Sequence, residues 1–232
     1  MVDFTADAGR CRNGLGNGAS EEMRHLRLGF ALVLVVLVLA GGLWAWWEMG
    51  APSRPRTLTK NQSEIVKVLE SAGWVSPHLA GPKLYMVAWR DCPGCVAFQT
   101  REFGRLRAAG VDTRVIAIAR PDVNGQARST PAERTTVAEL WVNRDFGLYE
   151  RWTAAPSAAW TAPGLPAADG DVARTAVIEA GRKTVADLSP LLKANGIGPG
   201  YPLLIWWDKA GAMRGCVCAA ASFDGIAKEL GA

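Results

Sequence analysis

A Cys-Pro-Gly-Cys motif at residues 92–95 constrains this chain more than any other feature of its sequence. An apolar run of strand length precedes it at residues 84–89, and residues 96–109 after it have the periodicity of a helix. Cys92 is therefore predicted at the point where a strand ends and a helix begins. Unpaired backbone N–H groups and the positive end of the helix dipole at that point stabilise a thiolate and lower the pKa of the thiol. Cys95 follows one helical turn later, close enough to close a small disulfide ring, so the motif predicts a dithiol that cycles between reduced and oxidised forms.

Two structural interpretations of the motif compete with the redox one. A structural disulfide usually joins distant segments, and closing so short a loop removes little chain entropy. A zinc site is the other, since Cys-x-x-Cys is also a metal-ligand spacing and Cys216 and Cys218 offer a second pair of thiols. Zinc knuckles usually lie on hairpin turns, whereas this motif opens a helix after a buried strand. The redox interpretation is therefore favoured, and no metal is expected.

The N-terminal part of the sequence predicts a membrane anchor. Residues 1–27 are polar and glycine-rich, and we expect them to be a disordered tail. Residues 28–47 carry no charge, and as a helix this run of 20 residues spans the ~30 Å hydrocarbon core of a bilayer. A cleaved signal peptide is the alternative, but the apolar run continues past the best cleavage position. A basic, proline-containing linker at residues 48–60 follows, and a single N-terminal anchor of this kind most often places the C-terminal domain outside the cytoplasm.

Residues 61–232 are predicted to form one α/β domain. After the cysteine helix, β-branched alternation at residues 113–119 predicts a second strand, parallel to the first through a right-handed crossover. Residues 121–200 are then predicted as a helical insertion, whose first helix opens with the capping box Thr130-Pro131-Ala132-Glu133. The last three predicted elements are a strand at 201–207, its hairpin partner at 212–217 and a closing helix at 222–230.

This order of elements is that of the thioredoxin fold, and over roughly residues 61–230 the chain resembles the catalytic domain of bacterial periplasmic thiol:disulfide interchange proteins of the DsbC/DsbG type. Three stretches carry the resemblance: GWVSPHLAGPKLYMVAWRDCPGC, ELWVNRDFGLYERW and LLKANGIGPGYPLLIWWDKAG. It implies that Cys92 is the attacking thiol and that Cys95 is the resolving thiol. Because only Cys92 lies at the helix N-terminus, we expect its thiol to be exposed and of low pKa, and that of Cys95 to be shielded. The resemblance also implies a cis peptide between Tyr201 and Pro202 that faces the two cysteines. The residues expected to contact substrate are Pro93, Gly94, Tyr201 and Pro202.

The sequence and the resemblance together predict a membrane-anchored thiol–disulfide oxidoreductase or isomerase, single-pass in the bacterial inner membrane with its catalytic domain in the periplasm. Its expected substrates are cysteine-containing envelope proteins, and a membrane or periplasmic redox partner would restore it. No cofactor is expected. Nucleic acid is excluded as a partner, because the net charge of +4 includes no basic run interleaved with aromatic residues. The alternative is a non-enzymatic thioredoxin-fold component of an envelope secretion or conjugation apparatus.

Two departures from the family pattern matter. The N-terminal dimerisation domain of the family is missing, so we expect the soluble domain to be a monomer, and isomerase action is in doubt. Cys216 and Cys218 are not part of the pattern, and three roles stay open for them: a second thiol pair with redox activity, two buried small residues, or a disulfide to another partner. On a regular strand we expect them near Cys92 but on opposite faces, and therefore not bonded to each other.

Overall fold

The computed structural model describes residues 30, 32–42 and 54–232, and the chain divides into two compact units, residues 1–49 and 50–232. In the first unit, residues 32–42 form helix α1, whose large aliphatic side chains are exposed. Within the described ranges, no helix is both long enough and apolar enough to cross a membrane. The predicted tail at 1–27 lies outside the described residues, and so do both ends of the membrane helix predicted at 28–47.

A five-stranded sheet forms the centre of the second unit. Its strands are β1 (Arg56–Thr57), β2 (Lys83–Ala88), β3 (Asp112–Ala117), β4 (Leu203–Trp207) and β5 (Met213–Val217). They lie in the order β1-β5-β4-β2-β3, with β2 parallel to β3 and every other neighbouring pair antiparallel. The parallel pair requires a crossover, which is the helix that carries the cysteine motif.

Helices cover both faces of this sheet. They are α2 (Gln62–Ser71), α3 (Pro93–Ala108), α4 (Pro131–Asn143), α5 (Phe146–Ala154), α6 (Val172–Lys193) and α7 (Phe223–Leu230). Side chains alternate along each strand, so the paired residues Met86 and Leu204 point to one face and the next pair, Tyr85 and Ile205, to the other. The first face packs against α3, α4, α5 and α7, and the second against α2 and the C-terminal half of α6.

This strand order, with a βαβ unit followed by an antiparallel hairpin and a final helix, is a thioredoxin-like fold, as the sequence predicts. Residues 121–200 contribute α4, α5 and α6 and add no strand to the sheet, which agrees with the predicted helical insertion. The first of these helices begins as its capping box requires, with the backbone N–H of Glu133 donating to the Thr130 hydroxyl at 3.1 Å.

The linker predicted at residues 48–60 is wrong for its last five residues. β1 pairs with β5, and Leu58 after it is fully buried. The backbone N–H groups of Thr59 and Lys60 both donate to the Asn195 side-chain oxygen, at 2.9 and 3.0 Å. This part of the chain belongs to the domain, and a strand of two residues has no periodicity by which the sequence could reveal it.

Candidate active site

Cys92 and Cys95 form a disulfide at the N-terminus of α3, with their Cα atoms 5.1 Å apart. Cys92 is the N-cap residue and Pro93 is the first residue of the helix. Proline is tolerated there because the first N–H groups of a helix have no carbonyl partner within the helix in any case. The backbone N–H of Cys95 donates to the Cys92 sulfur at 3.1 Å. The predicted placement at a strand-to-helix junction is thus confirmed, and a thiolate at Cys92 would accept this N–H and face the positive end of the helix.

The Tyr201–Pro202 loop lies directly against the motif. Its peptide bond is cis, as the resemblance implies. A β-carbon built on Gly94 would lie 2.8 Å from Pro202 Cδ and 3.2 Å from the Tyr201 carbonyl oxygen. Any side chain at Gly94 would therefore displace the loop, so glycine is what allows this approach. The pKa of the Tyr201 hydroxyl is raised because the side chain is partly buried.

Both sulfur atoms are nearly inaccessible in this oxidised form. Cys92 is 2% exposed and Cys95 is 0% exposed, while Asp91 and Pro93 beside them are exposed. The prediction of an exposed Cys92 thiol concerns the reduced protein, and in the disulfide form this residue is buried. The reason is that Cys92 belongs to the buried cluster on this face of the sheet, against which Tyr201 also packs.

Sequence reasoning missed Arg90, two residues before the first cysteine. Its guanidinium donates to the carbonyl oxygens of Trp152 and Ala155, at 2.8 and 2.9 Å, and so caps the C-terminus of α5. It also lies over the rings of Trp152 and Trp160, at 5.4 and 5.7 Å from their centres. Desolvation lowers the pKa of Arg90. Nothing in the sequence indicates this contact, because its partners lie in the insertion.

Glu133 is a second residue that the sequence did not single out for the site. It is 7% exposed, and its Oε1 has no hydrogen-bond partner among the residues that the structure describes. Burial raises the pKa of Glu133, and the negative charge of Asp91 beside the motif adds to the effect. The Thr130 backbone N–H and the guanidinium of Arg120 oppose this shift. The guanidinium carbon of Arg120, a half-buried residue, lies 3.7 Å from the centre of the Trp89 ring. Glu133 is therefore coupled by charge to a residue at the strand end that leads into the motif.

Cys216 and Cys218 are bonded to each other, with their Cα atoms 5.1 Å apart. The expectation that they lie on opposite faces and do not bond is therefore wrong. Residues two apart in a strand share a face, because the side-chain period is two, and β5 ends at Val217, so Cys218 is free of the strand's regular geometry. Both cysteines belong to the same buried cluster as Cys92 and Cys95. Since each pair forms its own disulfide, neither offers thiolates to a zinc ion in this form.

An apolar groove of about 380 Å³ opens beside the Tyr201–Pro202 loop. It runs between the C-terminal half of α6 and the end of β5. Its lining includes Leu188, Leu192, Ile197, Gly200, Tyr201 and Val217. The residues expected to contact substrate are therefore brought together at one place, with Pro93 and Gly94 on α3, Tyr201 and Pro202 on the facing loop, and an apolar surface next to that loop.

The strand order and the cysteine pair facing a cis-proline loop define the class of the molecule, a thioredoxin-like domain with a Cys-x-x-Cys site. Among solved structures, the chain is similar to Proteus mirabilis ScsC in a compact conformation, with 14% identity, 90% of this chain and 96% of that chain covered, and a TM-score of 0.44. It is similar to Salmonella enterica Typhimurium BcfH, with 15% identity, 92% and 96% covered, and a TM-score of 0.49. It is also similar to a periplasmic thioredoxin-like protein from Salmonella enterica serovar Typhimurium, with 15% identity, 75% and 97% covered, and a TM-score of 0.43. No protein-family model matches the chain, and no curated protein matches it.

Proposed function

We propose that this chain is a thiol–disulfide oxidoreductase that exchanges disulfides with cysteine-containing proteins outside the cytoplasm. The observation that carries the proposal is the Cys92–Cys95 disulfide at the N-terminus of α3, in contact through Gly94 with the Tyr201–Pro202 loop. A disulfide that only stabilises the fold gains little from closing so short a loop. Placed where a helix begins, the same pair has one sulfur that is stabilised as a thiolate and is therefore reactive.

The exchange takes place in two displacement steps. In the reduced protein, the Cys92 thiolate attacks one sulfur of a substrate disulfide, and the other substrate sulfur leaves as a thiolate. Cys95, as a thiolate, then attacks the Cys92 sulfur and displaces the first substrate sulfur. The substrate gains two electrons and two protons, and Cys92–Cys95 becomes the disulfide seen in the structure. The same steps in reverse donate a disulfide to a substrate dithiol.

The substrate chain would lie against the Tyr201–Pro202 loop. An extended peptide can pair with an exposed backbone segment as an added strand, which leaves its cysteine next to the opposing thiol. The apolar groove beside Tyr201 would take side chains that flank the substrate cysteine. Pro93 is exposed at the rim of the site, where the same peptide would pass it.

We propose further that the domain is held at the bacterial inner membrane by residues 28–47 and works in the periplasm. A membrane or periplasmic partner protein would return Cys92 and Cys95 to their starting redox state after each exchange. The uncharged run of residues in the sequence and the exposed aliphatic side chains of α1 support an anchor. The resemblance to the catalytic domain of the DsbC/DsbG type supports thiol–disulfide oxidoreductase or isomerase activity as part of the same proposal. Separation of cell membranes from soluble extract tests the anchor, and recovery of the full chain in the soluble fraction would contradict it.

A redox titration of the full chain in detergent tests the reaction. Equilibration in glutathione buffers, followed by acid quenching and alkylation, gives the fraction of Cys92 and Cys95 that is reduced. A midpoint between ~−270 and ~−120 mV, the range of known exchange proteins, is the expected result. A pair that stays oxidised below ~−300 mV would contradict the proposal and favour the assembly component of an envelope apparatus.

A further inference from the structure

The second disulfide lies one strand away from the loop that faces the first. In the register of the hairpin, Val217 is opposite Leu203 and Cys216 is opposite Leu204. Pro202 and Cys218 come next on the two chains beyond the last of these pairs, so they lie at the same end of the hairpin. Pro202 in turn contacts Gly94, between Cys92 and Cys95. The end of the hairpin that carries Cys218 is therefore also the end that contacts the Cys92–Cys95 motif.

Both disulfides also lie on the same face of the sheet. All four cysteines are buried in one cluster, with exposures between 0% and 4%. The cluster includes Phe98, one turn after Cys95, and Phe223, five residues after Cys218, whose rings meet edge to face with centres 4.9 Å apart. Protein side chains and not solvent fill the space around the two pairs.

The segment that follows Cys218 is fastened to the helix that carries the first pair. Arg101 on α3 donates to the carbonyl oxygen of Ala220 at 3.3 Å, and its guanidinium lies 5.5 Å from the centre of the Phe223 ring. These contacts hold the end of β5 against α3. The segment that follows the second pair therefore stays beside the helix that carries the first.

From this geometry we propose that Cys216–Cys218 is a second redox pair, which exchanges electrons with Cys92–Cys95 inside the chain. The inference rests on the proposed function, because it requires Cys92 to act as a nucleophile. It assigns to the buried pair a chemistry that is linked to the substrate through Cys92. When reduced, the second pair would store two electrons that can be passed to Cys92–Cys95.

The internal exchange balances without an external oxidant or reductant. The Cys92 thiolate attacks the Cys218 sulfur, the bond between Cys218 and Cys216 breaks, and Cys216 leaves as a thiolate and takes up a proton. The Cys95 thiolate then attacks the Cys92 sulfur, and Cys218 leaves and is protonated. Cys92 and Cys95 lose two electrons and two protons, and Cys216 and Cys218 gain them. The reverse sequence reduces Cys92–Cys95 at the expense of the second pair.

Trypsin separates the cysteines into peptides that can be followed one by one. Cleavage after Arg90 and Arg101 isolates the first pair, and cleavage after Arg214 and Lys228 isolates the second. Cys11, which is expected to be a spectator thiol, falls in a different peptide. Mass spectrometry after acid quenching and alkylation therefore reports each pair separately in the full chain.

The first experiment traps the intermediate. In a Cys95→Ala variant, Cys92 has no resolving partner, so it should form a bond to the second pair, seen as a cross-link between peptides 91–101 and 215–228. The matched Cys92→Ala variant keeps Cys95 and should not form this cross-link. Absence of the cross-link in Cys95→Ala, or an equal yield in both variants, would overturn the proposed route.

The second experiment measures how the buried pair is reduced. In wild type exposed to reduced glutathione, Cys216–Cys218 should be reduced after Cys92–Cys95. In a Cys92→Ser/Cys95→Ser variant its reduction should be at least about tenfold slower, because exchange with Cys92 is intramolecular and has a high effective concentration that free glutathione lacks. An equal rate in both proteins would overturn the inference. If Cys92–Cys95 exchanges while Cys216–Cys218 stays oxidised, this inference alone fails; if Cys92–Cys95 does not exchange either, the proposed function fails with it.

Discussion

At the scale of single residues, Cys92 and Cys95 differ in what surrounds their sulfur atoms. The Cys92 sulfur accepts the N–H of Cys95 at the start of α3, where the helix dipole favours negative charge. Cys95 lies inside the first turn and is fully buried. The first cysteine is therefore suited to attack, and the second to resolve what the first has bound.

A Cys95→Ala variant should retain a mixed disulfide that wild type resolves. With glutathione disulfide in excess, we expect a stable glutathione adduct on the peptide of residues 91–101, because the attack at Cys92 survives and the resolving step is lost. Mass spectrometry of the alkylated tryptic digest measures it. Cys92→Ala is the matched control, and equal adduct formation in the two variants would contradict the assignment of an attacking and a resolving cysteine.

The buried carboxyl of Glu133 should make the stability of the domain depend on pH. Its folded-state pKa is raised above the ordinary value of 4.5, so the folded protein keeps a proton that the unfolded chain has already lost. Stability from this group therefore falls as pH rises from about 4.5 through the folded-state pKa. In Glu133→Gln, which keeps a capping side chain, this loss should vanish.

Chemical denaturation of the two proteins at several pH values measures the effect. The free energy of unfolding of Glu133→Gln minus that of wild type should increase with pH across this window. Glu150→Gln, at an exposed position of α5, controls for the loss of one carboxylate. A difference that is constant or decreases with pH would contradict the assignment.

At the scale of elements, the guanidinium of Arg90 joins the active-site loop to α5. Replacing Arg90 with alanine leaves two helix-end carbonyls without their donor, and hydrogen bonds to a charged group are worth about 1.5–3 kcal/mol each in net stability. Because the shared donor is partly exposed, we expect Arg90→Ala to lower the free energy of unfolding by about 2 kcal/mol in total.

Denaturant titration measures this loss, and Arg151→Ala is the matched control on the same helix. The Arg151 side chain is 65% exposed and pairs with Asp145 at 3.6 Å, so its removal should cost less than about 0.5 kcal/mol. Equal losses in the two variants would show that the contact of Arg90 with the helix end stabilises the domain no more than an exposed ion pair does.

Most elements could be predicted from the sequence, because each has a local cause. The Thr130 capping box starts α4 where expected, and Cys92 and Pro93 start α3. Contacts between distant segments could not be predicted in the same way. Arg90 bonds to a helix of the insertion, and Cys216 and Cys218 are bonded to each other at a strand end, where local periodicity carries no information about side-chain partners.

At the scale of the whole molecule, we expect residues 50–232 to be monomeric. Helices cover both faces of the sheet, and its two edges are short or partly paired, since β1 has two residues and Val75 bridges to Val115 on β3. Sedimentation at micromolar concentration measures the state. A stable dimer would contradict the prediction and would restore isomerase activity as the leading interpretation.

The sheet order also has a consequence for biosynthesis. β2 pairs on one side with β3, the next strand along the chain, but on its other side with β4, which follows the whole helical insertion. A ribosome therefore releases the cysteine motif well before the Tyr201–Pro202 loop that covers it, and meanwhile β2 has an unpaired edge. Chains arrested within the insertion should thus be alkylated at Cys92 and Cys95 much faster than the complete reduced protein, and equal rates would contradict this order of events. Until residues 201–232 have been synthesised, the reactive pair can therefore exchange with any disulfide that it contacts.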